Sequence, residues 1–242
     1  MHEITAFESR TAQLLGQEGI DKLKNAHVIL FGLGGVGGYA CEALARAGVG
    51  RLTLVDGDTI AESNLNRQIL ALQDTVGLSK AQVAAQRVKA INPACRVEAV
   101  EMFYLPENAA QLPFAGADYV LDAVDTVTAK LEIIGRAQAA GVPVISCMGT
   151  GNKLHPEQLR LSTIEKTEGC RLAKVMRLEC RRRGYKNVQV VYSPEPPASP
   201  KQEGEKGKDG SRTVPGSTSF VPGAAGLIMA GAVIRAISGV EN

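Results

Sequence analysis

Short apolar runs that are rich in β-forming residues alternate with segments of helical composition along the first part of the chain. The β-type runs lie at 28–31, 52–55, 97–100, 119–124 and 142–146. Between them, helical composition is found at 39–47, from the N-cap candidate Ser79 to just before Pro93, and from Thr126 to Ala140. This alternation predicts an α/β fold with a mostly parallel sheet and helices on both faces.

The sequence pattern changes in the second half of the chain. Runs at 159–164 and 188–192 alternate like strands and flank a strongly basic helix at 170–183, so we expect an extension of the same sheet. Residues 194–216 are rich in proline, glycine and charge, which predicts a flexible loop. The chain then closes with Ser219-Phe220-Val221-Pro222 and an apolar helix that is expected to end at about residue 237.

The composition is that of a globular protein of 242 residues, with 45% hydrophobic and 21% charged residues. The net charge of +2 is too small to indicate a nucleic-acid partner by itself. Five scattered cysteines without a Cys-x-x-Cys pair argue against a zinc ribbon and favour a reducing compartment. The N-terminus shows no signal pattern, and glycines, a proline and Arg235 interrupt the last apolar stretch. We therefore expect a cytoplasmic protein without an integral membrane segment.

A glycine-rich turn follows the first β-type run and precedes a helical segment. Gly32, Gly34 and Gly37 have the spacing of a dinucleotide fingerprint, and Gly35 lies between them. Glycine lets phosphate oxygens approach the backbone, and the helix N-terminus binds them. Asp56 ends the second β-type run, about 20 residues later, where a carboxylate commonly holds a ribose. These features predict a nucleotide site and leave ATP and NAD open.

Polar residues downstream distinguish between these nucleotides. They are Asp56, Asp58, Asn64, Arg67, Gln68, Lys80 and Asp125. Activation of a carboxylate by ATP builds negative charge around the α-phosphate and the leaving pyrophosphate, which cations must stabilise. Arg67 can bind phosphate oxygens, Lys80 lies next to a helix N-terminus, and Asp125 follows a strand and can hold magnesium.

Each of these residues also has a simpler interpretation. Arg67 and Lys80 can be solvated surface charges, and Asp125 can cap the helix that begins near Thr126. A nicotinamide-binding oxidoreductase or regulator would use none of the three. Their order behind the glycine turn favours adenylation by ATP and magnesium.

The chain resembles the ThiF/MoeB-type superfamily, relatives of the ubiquitin-activating enzymes, over about residues 5–150. The matching motifs are Gly32-x-Gly34-Gly35-x-Gly37, Leu54-Val55-Asp56-x-Asp58, Asn64-Leu-Asn-Arg67-Gln68, Gly77-x-x-Lys80 and Asp122-x-x-Asp125. This resemblance implies a Rossmann-like sheet in a single ThiF-type domain at 1–242, with an adenylation core at 5–150 and a substrate-side extension at 151–242.

The resemblance also implies roles for individual residues. Asp56 would hold the ribose, Arg67 and Lys80 the phosphates, and Asp125 magnesium, while Asn64 and Gln68 would shape the pocket. Members of the superfamily are homodimers in which an arginine matching Arg10 reaches the partner's site. Arg10, Arg67, Lys80 and Asp125 are therefore the catalytic candidates.

The second half is similar to that of the tRNA threonylcarbamoyladenosine dehydratases (TcdA-type). The matching segments include Gly149-x-Gly151-Asn152-Lys153-Leu154, Val190-Val191-Tyr192-Ser193 and Ser219-Phe220-Val221-Pro222. The resemblance implies adenylation of the threonyl carboxylate on tRNA, followed by intramolecular ring closure with loss of water, and sulfur-transfer partners of the cysteine desulfurase type. The alternative is adenylation of a ubiquitin-like sulfur carrier, although enzymes of that branch usually carry two Cys-x-x-Cys pairs.

The charge distribution agrees with a nucleic-acid substrate. Between residues 166 and 186 eight basic residues stand against two acidic ones. The tRNA-binding candidates are Arg171, Lys174, Arg177, Arg181, Arg182 and Arg183. Several recur at helical spacing and could follow a phosphate backbone, although a solvated helix face would have the same pattern.

Cys170 lies beside this basic segment, where neighbouring bases could activate a thiol. Thioester-forming relatives of the superfamily use a cysteine in this half of the chain. Because the ring closure is intramolecular and needs no covalent enzyme intermediate, we expect Cys170 not to be catalytic.

Overall fold

The computed structural model describes residues 4–199, 201–202 and 214–240, and its centre is a seven-stranded sheet. The strands are β1 (His27–Phe31), β2 (Arg51–Val55), β3 (Arg96–Val100), β4 (Tyr119–Asp122), β5 (Val144–Cys147), β6 (Arg160–Thr163) and β7 (Gln189–Tyr192). Their order is β3-β2-β1-β4-β5-β7-β6, and every neighbouring pair is parallel except β6 with β7. The predicted parallel sheet and its extension by the second half are confirmed.

Helices cover both faces of this sheet. They are α1 (Ser9–Asn25), α2 (Gly37–Arg46), α3 (Lys80–Ile91), α4 (Val127–Ala139), α5 (Arg171–Arg183) and α6 (Phe220–Ser238). Alternate residues of β1 enter different cores: Leu30 packs with α1, α2, α3 and α6, and Phe31 packs with α4 and α5. Because both faces are covered at the centre of the sheet, β1, β4 and β5 are buried along nearly their whole length, whereas the edge strands β3 and β6 carry exposed polar residues. Helix α1 was not predicted from the sequence.

Helix α6 is the predicted C-terminal apolar helix. Within the described ranges it is the one helix long and apolar enough to cross a membrane, and half of that segment is buried inside the protein. It packs chiefly on α2. A Cβ at Gly226 would overlap the Val36 carbonyl oxygen, so a glycine is required for this close approach.

The predicted flexible loop at 194–216 lies partly outside the described residues, and its ends are bonded to the fold. Glu195 is buried, and its carboxylate accepts the Leu154 N–H at 2.9 Å. Gly216 accepts from the Asn152 N–H at 2.8 Å and donates to Asn152 Oδ1 at 2.7 Å. Composition gave no sign of these attachments, and flexibility stays a prediction for the residues between them.

Candidate functional site

A cleft of about 850 Å³ opens at the carboxyl ends of β1, β2, β4 and β5. The structure brings together in its lining Gly32, Gly34, Gly35, Asp56, Asp58, Asn64, Arg67, Gln68, Lys80 and Asp125. Parallel strands end at one edge of the sheet, so loops far apart in sequence converge there. A second cleft, of about 660 Å³, lies at the opposite edge and contains none of the predicted site residues.

The glycine turn combines close backbone packing with open space. Gly32 has φ +83°, and a Cβ there would lie 2.7 Å from the Ala123 carbonyl oxygen. A Cβ at Gly37 would overlap the Gly32 carbonyl oxygen. Gly34 has only Gln68 Nε2 nearby, at 3.8 Å. Gly37, a predicted cofactor-binding residue, does not line the cleft. Its lack of a side chain instead allows α2 to pack closely against the turn.

Asp56 links the end of β2 to the glycine turn. Its Oδ2 accepts the Leu33 N–H at 2.6 Å, and its Oδ1 accepts the Asp58 N–H at 2.8 Å. Each carboxylate oxygen can accept a further hydrogen bond. Asp56 therefore shapes the turn itself, and its binding of a ribose stays a prediction.

Lys80 is a buried cation at the first position of α3. Its side chain is 8% exposed, and its Nζ lies 3.2 Å from Asp58 Oδ2. Ser79 caps the helix as predicted, since its Oγ accepts the Gln82 N–H at 3.4 Å. The interpretation of Lys80 as a solvated surface charge is wrong. The ion pair between Asp58 and Lys80 was not predicted from the sequence, and it holds the Lys80 ammonium group in the cleft.

The turn that carries Arg67 also carries two amide side chains of the lining. Arg67 Nη1 donates to the Ser63 carbonyl at 2.8 Å and to Asn66 Oδ1 at 2.9 Å. Asn64 is buried and accepts an N–H of its own turn at 3.1 Å. Gln68 Oε1 is buried and has no hydrogen-bond partner among the described residues. A buried acceptor of this kind can bind a ligand that enters the cleft.

Asp125 is exposed on the loop between β4 and α4. Its Oδ1 accepts from Thr126 Oγ1 at 3.3 Å. Thr126 is the N-cap residue of α4, where the helix was predicted to begin, but its side chain caps no N–H. No group of three or more His, Cys, Asp and Glu residues that could hold a metal occurs in the described part of the chain. A single carboxylate suits magnesium, which shares phosphate oxygens and water.

Arg10 does not join this site within one chain. It is exposed on α1 and lies outside the lining of the cleft. Its predicted role requires a second copy of the chain, and it stays a prediction.

The basic helix is confirmed as α5, but its bases differ in availability. Those exposed to solvent are Arg171, Lys174, Arg181, Arg182 and Arg183. Arg177 is half-buried, and its Nη1 donates to both the carbonyl and the hydroxyl of Thr167 at 2.7 Å. Arg182 and Arg183 both pair with Glu179. Arg177 is therefore engaged within the fold, and the surface that could meet phosphates is narrower than predicted.

All five cysteines are buried and free. Burial raises the pKa of Cys41 and of Cys147 to about 12. Cys170 caps α5, because its Sγ accepts the Ala173 N–H at 3.5 Å. It does not line the cleft, although its sulfur lies 4.0 Å from the position of a Cβ at Gly149 in the lining.

Sequence reasoning missed Lys130, which is fully buried beneath the cleft. One signal was available in the periodicity of α4. Lys130 lies on the same helix face as the buried residues Ile133, Ile134 and Ala137. A lysine on such a face requires buried acceptors.

The comparisons with known proteins agree along nearly the whole chain. The ThiF family model matches residues 8–242. The tRNA threonylcarbamoyladenosine dehydratase of Bacillus subtilis (strain 168) is 42% identical over 234 residues, which cover 93% of this chain and 92% of the relative. The enzyme of the same name from Escherichia coli (strain K12) is 38% identical over 202 residues, covering 80% and 75%.

A solved structure gives the same relationship. The crystal structure of the E. coli tRNA N6-threonylcarbamoyladenosine dehydratase, TcdA, in complex with ATP has a TM-score of 0.87 and 32% identity, and the match covers 99% of this chain and 98% of that one. The chain therefore belongs to the ThiF family, and within it to the tRNA threonylcarbamoyladenosine dehydratases.

Proposed function

We propose that this protein uses ATP to dehydrate threonylcarbamoyladenosine in tRNA, closing a ring. The observation that carries the proposal is the convergence of the glycine turn, Arg67, Lys80 and Asp125 on one cleft. The relatives that match most of this chain bear the name of that activity, and the E. coli TcdA structure contains ATP.

The chemistry divides into two displacements. In the first, an oxygen of the threonyl carboxylate attacks the α-phosphorus of ATP, and pyrophosphate leaves with the electrons of the broken P–O bond. In the second, a nucleophilic atom of the same modified base attacks the activated carbonyl carbon, AMP leaves with the electrons of the broken C–O bond and the carboxylate oxygen, and the proton displaced from the modified base passes to solvent. Adenylation thus replaces a poor leaving group, an oxide ion, by AMP.

The residues of the cleft serve the first displacement. Backbone N–H groups at the glycine turn and the N-terminus of α2 favour phosphate binding. Arg67 and the Lys80 ammonium stabilise the charge that grows on the phosphate oxygens. Lys80 needs little reorganisation because Asp58 already fixes it, with 3.2 Å between Nζ and Oδ2.

We extend the proposal to magnesium, which Asp125 would hold together with phosphate oxygens. When bound, the ion supplies charge neutralisation at the transferring phosphate. The fit rests on the donor set, since a lone exposed carboxylate matches a cation that keeps water and phosphate as its other ligands.

The proposal further includes tRNA binding along α5, a homodimer and a cytoplasmic location. The bases Arg171, Lys174 and Arg181 support the first, because all three are exposed on the same helix. Arg10 would complete the partner's site. Sulfur-transfer protein partners also remain proposals. The sulfur-carrier and nicotinamide alternatives have less support, because relatives matching along the chain are named as dehydratases.

The test is incubation of threonylcarbamoyladenosine-containing tRNA with protein, ATP and magnesium, followed by mass spectrometry of the nucleosides. We expect loss of one water from the modified nucleoside and release of pyrophosphate. Arg67→Ala and Asp125→Asn should lose both, while Arg46→Gln, an exposed arginine on α2 outside the cleft and outside α5, serves as the matched control. Pyrophosphate exchange with a ubiquitin-like carrier and none with tRNA would refute the proposal.

A further inference from the structure

A lysine and an aspartate form a fully buried ion pair beneath the cleft. Lys130 on α4 and Asp122 at the end of β4 are both 0% exposed, and Nζ lies 3.1 Å from Oδ2. Lys130 Nζ also donates to Ser146 Oγ at 3.3 Å and to the Cys147 carbonyl at 2.7 Å. Ser146 Oγ donates to Asp122 Oδ2 at 2.5 Å. We call these four groups the buried network.

The buried network holds both ends of the loop that carries Asp125. At its beginning, Asp122 Oδ1 accepts the Val124 N–H at 3.1 Å. At its end, α4 begins with the ordinary helical bond from the Lys130 backbone N–H to the Thr126 carbonyl, at 3.0 Å, so the side chain of Lys130 is anchored on the turn that follows the loop. The carboxylate of Asp125 thus projects from a loop of four residues, 123–126. The Lys130 ammonium joins Asp122, just before this loop, to the first turn of α4, just after it.

The same ammonium group holds a second loop of the cleft. Its bond to the Cys147 carbonyl fixes the end of β5, and Met148, Gly149 and Gly151 just beyond it line the cleft. The Met148 N–H donates to the Val191 carbonyl at 2.8 Å, which attaches this loop to β7. Lys130 therefore sets the spacing between two loops that approach the cleft from adjacent strands.

Stability alone is a poor explanation for this arrangement. Apolar side chains of similar volume often serve a fold as well as a buried ion pair, because the charges lose their hydration. A buried ammonium with three well-placed acceptors specifies relative positions instead. Lys130 does not line the cleft, so any effect on a ligand acts through the loops.

We propose that Lys130 is a positioning residue, which holds the loop 123–126 so that Asp125 presents its carboxylate to the magnesium ion bound with ATP. The inference rests on the proposed function only in its use of Asp125 and of magnesium-bound ATP. Carboxylates that bind metals are themselves held by hydrogen-bonded neighbours, and loss of such support weakens metal binding by about 10–100-fold.

The test measures ATP binding to the full chain by titration calorimetry, with and without magnesium and in the absence of tRNA. The ratio of the two affinities is the magnesium gain. Lys130→Met alone leaves a buried carboxylate without its cation, so it is combined with Asp122→Asn, which keeps an acceptor for the Val124 N–H. We expect this double variant to have a melting temperature close to that of the parent and to bind metal-free ATP as the parent does. Its magnesium gain should be about tenfold smaller than that of the parent.

Two further variants complete the test. Arg136→Met removes a half-exposed pair with Glu132 on the same helix and should leave the magnesium gain unchanged. Adding Asp125→Asn to the double variant should cause little further loss, because both changes act on one contact. A folded double variant with the parent's magnesium gain would overturn the proposal, as would a parent without any gain. A parent that shows the gain but leaves modified tRNA unchanged would refute the proposed function alone.

Discussion

Two glycines of the same turn should respond in opposite ways to alanine. Gly34 lines the cleft, and a Cβ there would have only Gln68 Nε2 nearby, at 3.8 Å. Gly37 lies outside the lining, and a Cβ there would overlap the Gly32 carbonyl oxygen and lie 2.8 Å from its carbonyl carbon. The pair therefore separates the ligand-binding function of the turn from its packing.

The structure gives the size of each effect. At Gly37 the obstructing atoms belong to the backbone, so the turn and α2 must separate, and overpacking of this kind costs about 1–3 kcal/mol or more. The higher helix propensity of alanine returns at most about 1 kcal/mol. A net loss of about 2 kcal/mol lowers the melting temperature of a chain of this size by roughly 4–8 °C.

For Gly34→Ala we expect stability within about 0.5 kcal/mol of the parent, since the methyl group meets no crowded atom. The same methyl group occupies space where phosphate oxygens approach the backbone, so the Kd for ATP should rise by about tenfold or more. Scanning calorimetry measures the first quantity and titration with ATP the second.

The outcomes that refute this reasoning are distinct. Parent-like ATP binding by Gly34→Ala would mean that the phosphates do not approach this turn. Parent-like melting of Gly37→Ala would mean that the contact between α2 and the turn is not as close as the structure has it. Loss of ATP binding in both variants without loss of stability in either would contradict the separation of the two roles.

Three other predictions concern the basic helix and the thiols. Glutamine at Arg171, Lys174 and Arg181 together should weaken tRNA binding and reduce the salt slope by about 1 for each phosphate group that the helix no longer binds; filter binding with an unchanged slope would contradict this. Cys170→Ala should cost about 0.5–1 kcal/mol through loss of the α5 cap and leave cyclisation intact. A variant that releases pyrophosphate but forms no ring would make Cys170 catalytic. Burial raises the pKa of Cys147 from 9.0 to about 12. The contribution of this thiol to the free energy of unfolding is therefore constant below about pH 9 and is lost as pH rises toward 12, because the unfolded chain releases the proton first. Urea unfolding at pH 8 and at pH 10 should show that the free energy of unfolding falls more between these pH values for the parent than for Cys147→Ala.

Most of the sheet followed from local pattern, for a physical reason. A strand covered on both faces must be apolar at nearly every position, so its run is visible in the sequence. The run at 28–31 is β1 to within one residue. The edge strand β3 also matches the run at 97–100 to within one residue, but it carries Glu98 and has no buried residue, so its valines rather than burial gave the signal. The cleft followed from topology, because the residues after parallel strands meet at one edge.

Two of the misses share a cause, since each depends on a contact between separate elements of the fold. The periodicity of α4 places Lys130 on a buried face, but its acceptors Ser146 and the Cys147 carbonyl lie on another strand and become visible only in the fold. Asn152 has φ +55° and binds Gly216, so the end of a segment that reads as a loop becomes attached to the fold.

The walls of the cleft are built in two different ways, and this bears on how the enzyme can combine precise chemistry with a large substrate. On the phosphate side, the glycine turn contacts the Ala123 loop through backbone atoms, and that loop is held by the buried network. Elsewhere in the lining, Val214, Pro215 and Ser217 are attached through hydrogen bonds from Asn66 to Ser217 and between Asn152 and Gly216. Phosphate transfer benefits from dipoles fixed in advance, because they need no reorganisation as charge develops. A tRNA-borne carboxylate must instead enter from outside, so a wall attached by a few hydrogen bonds suits the side where the substrate arrives.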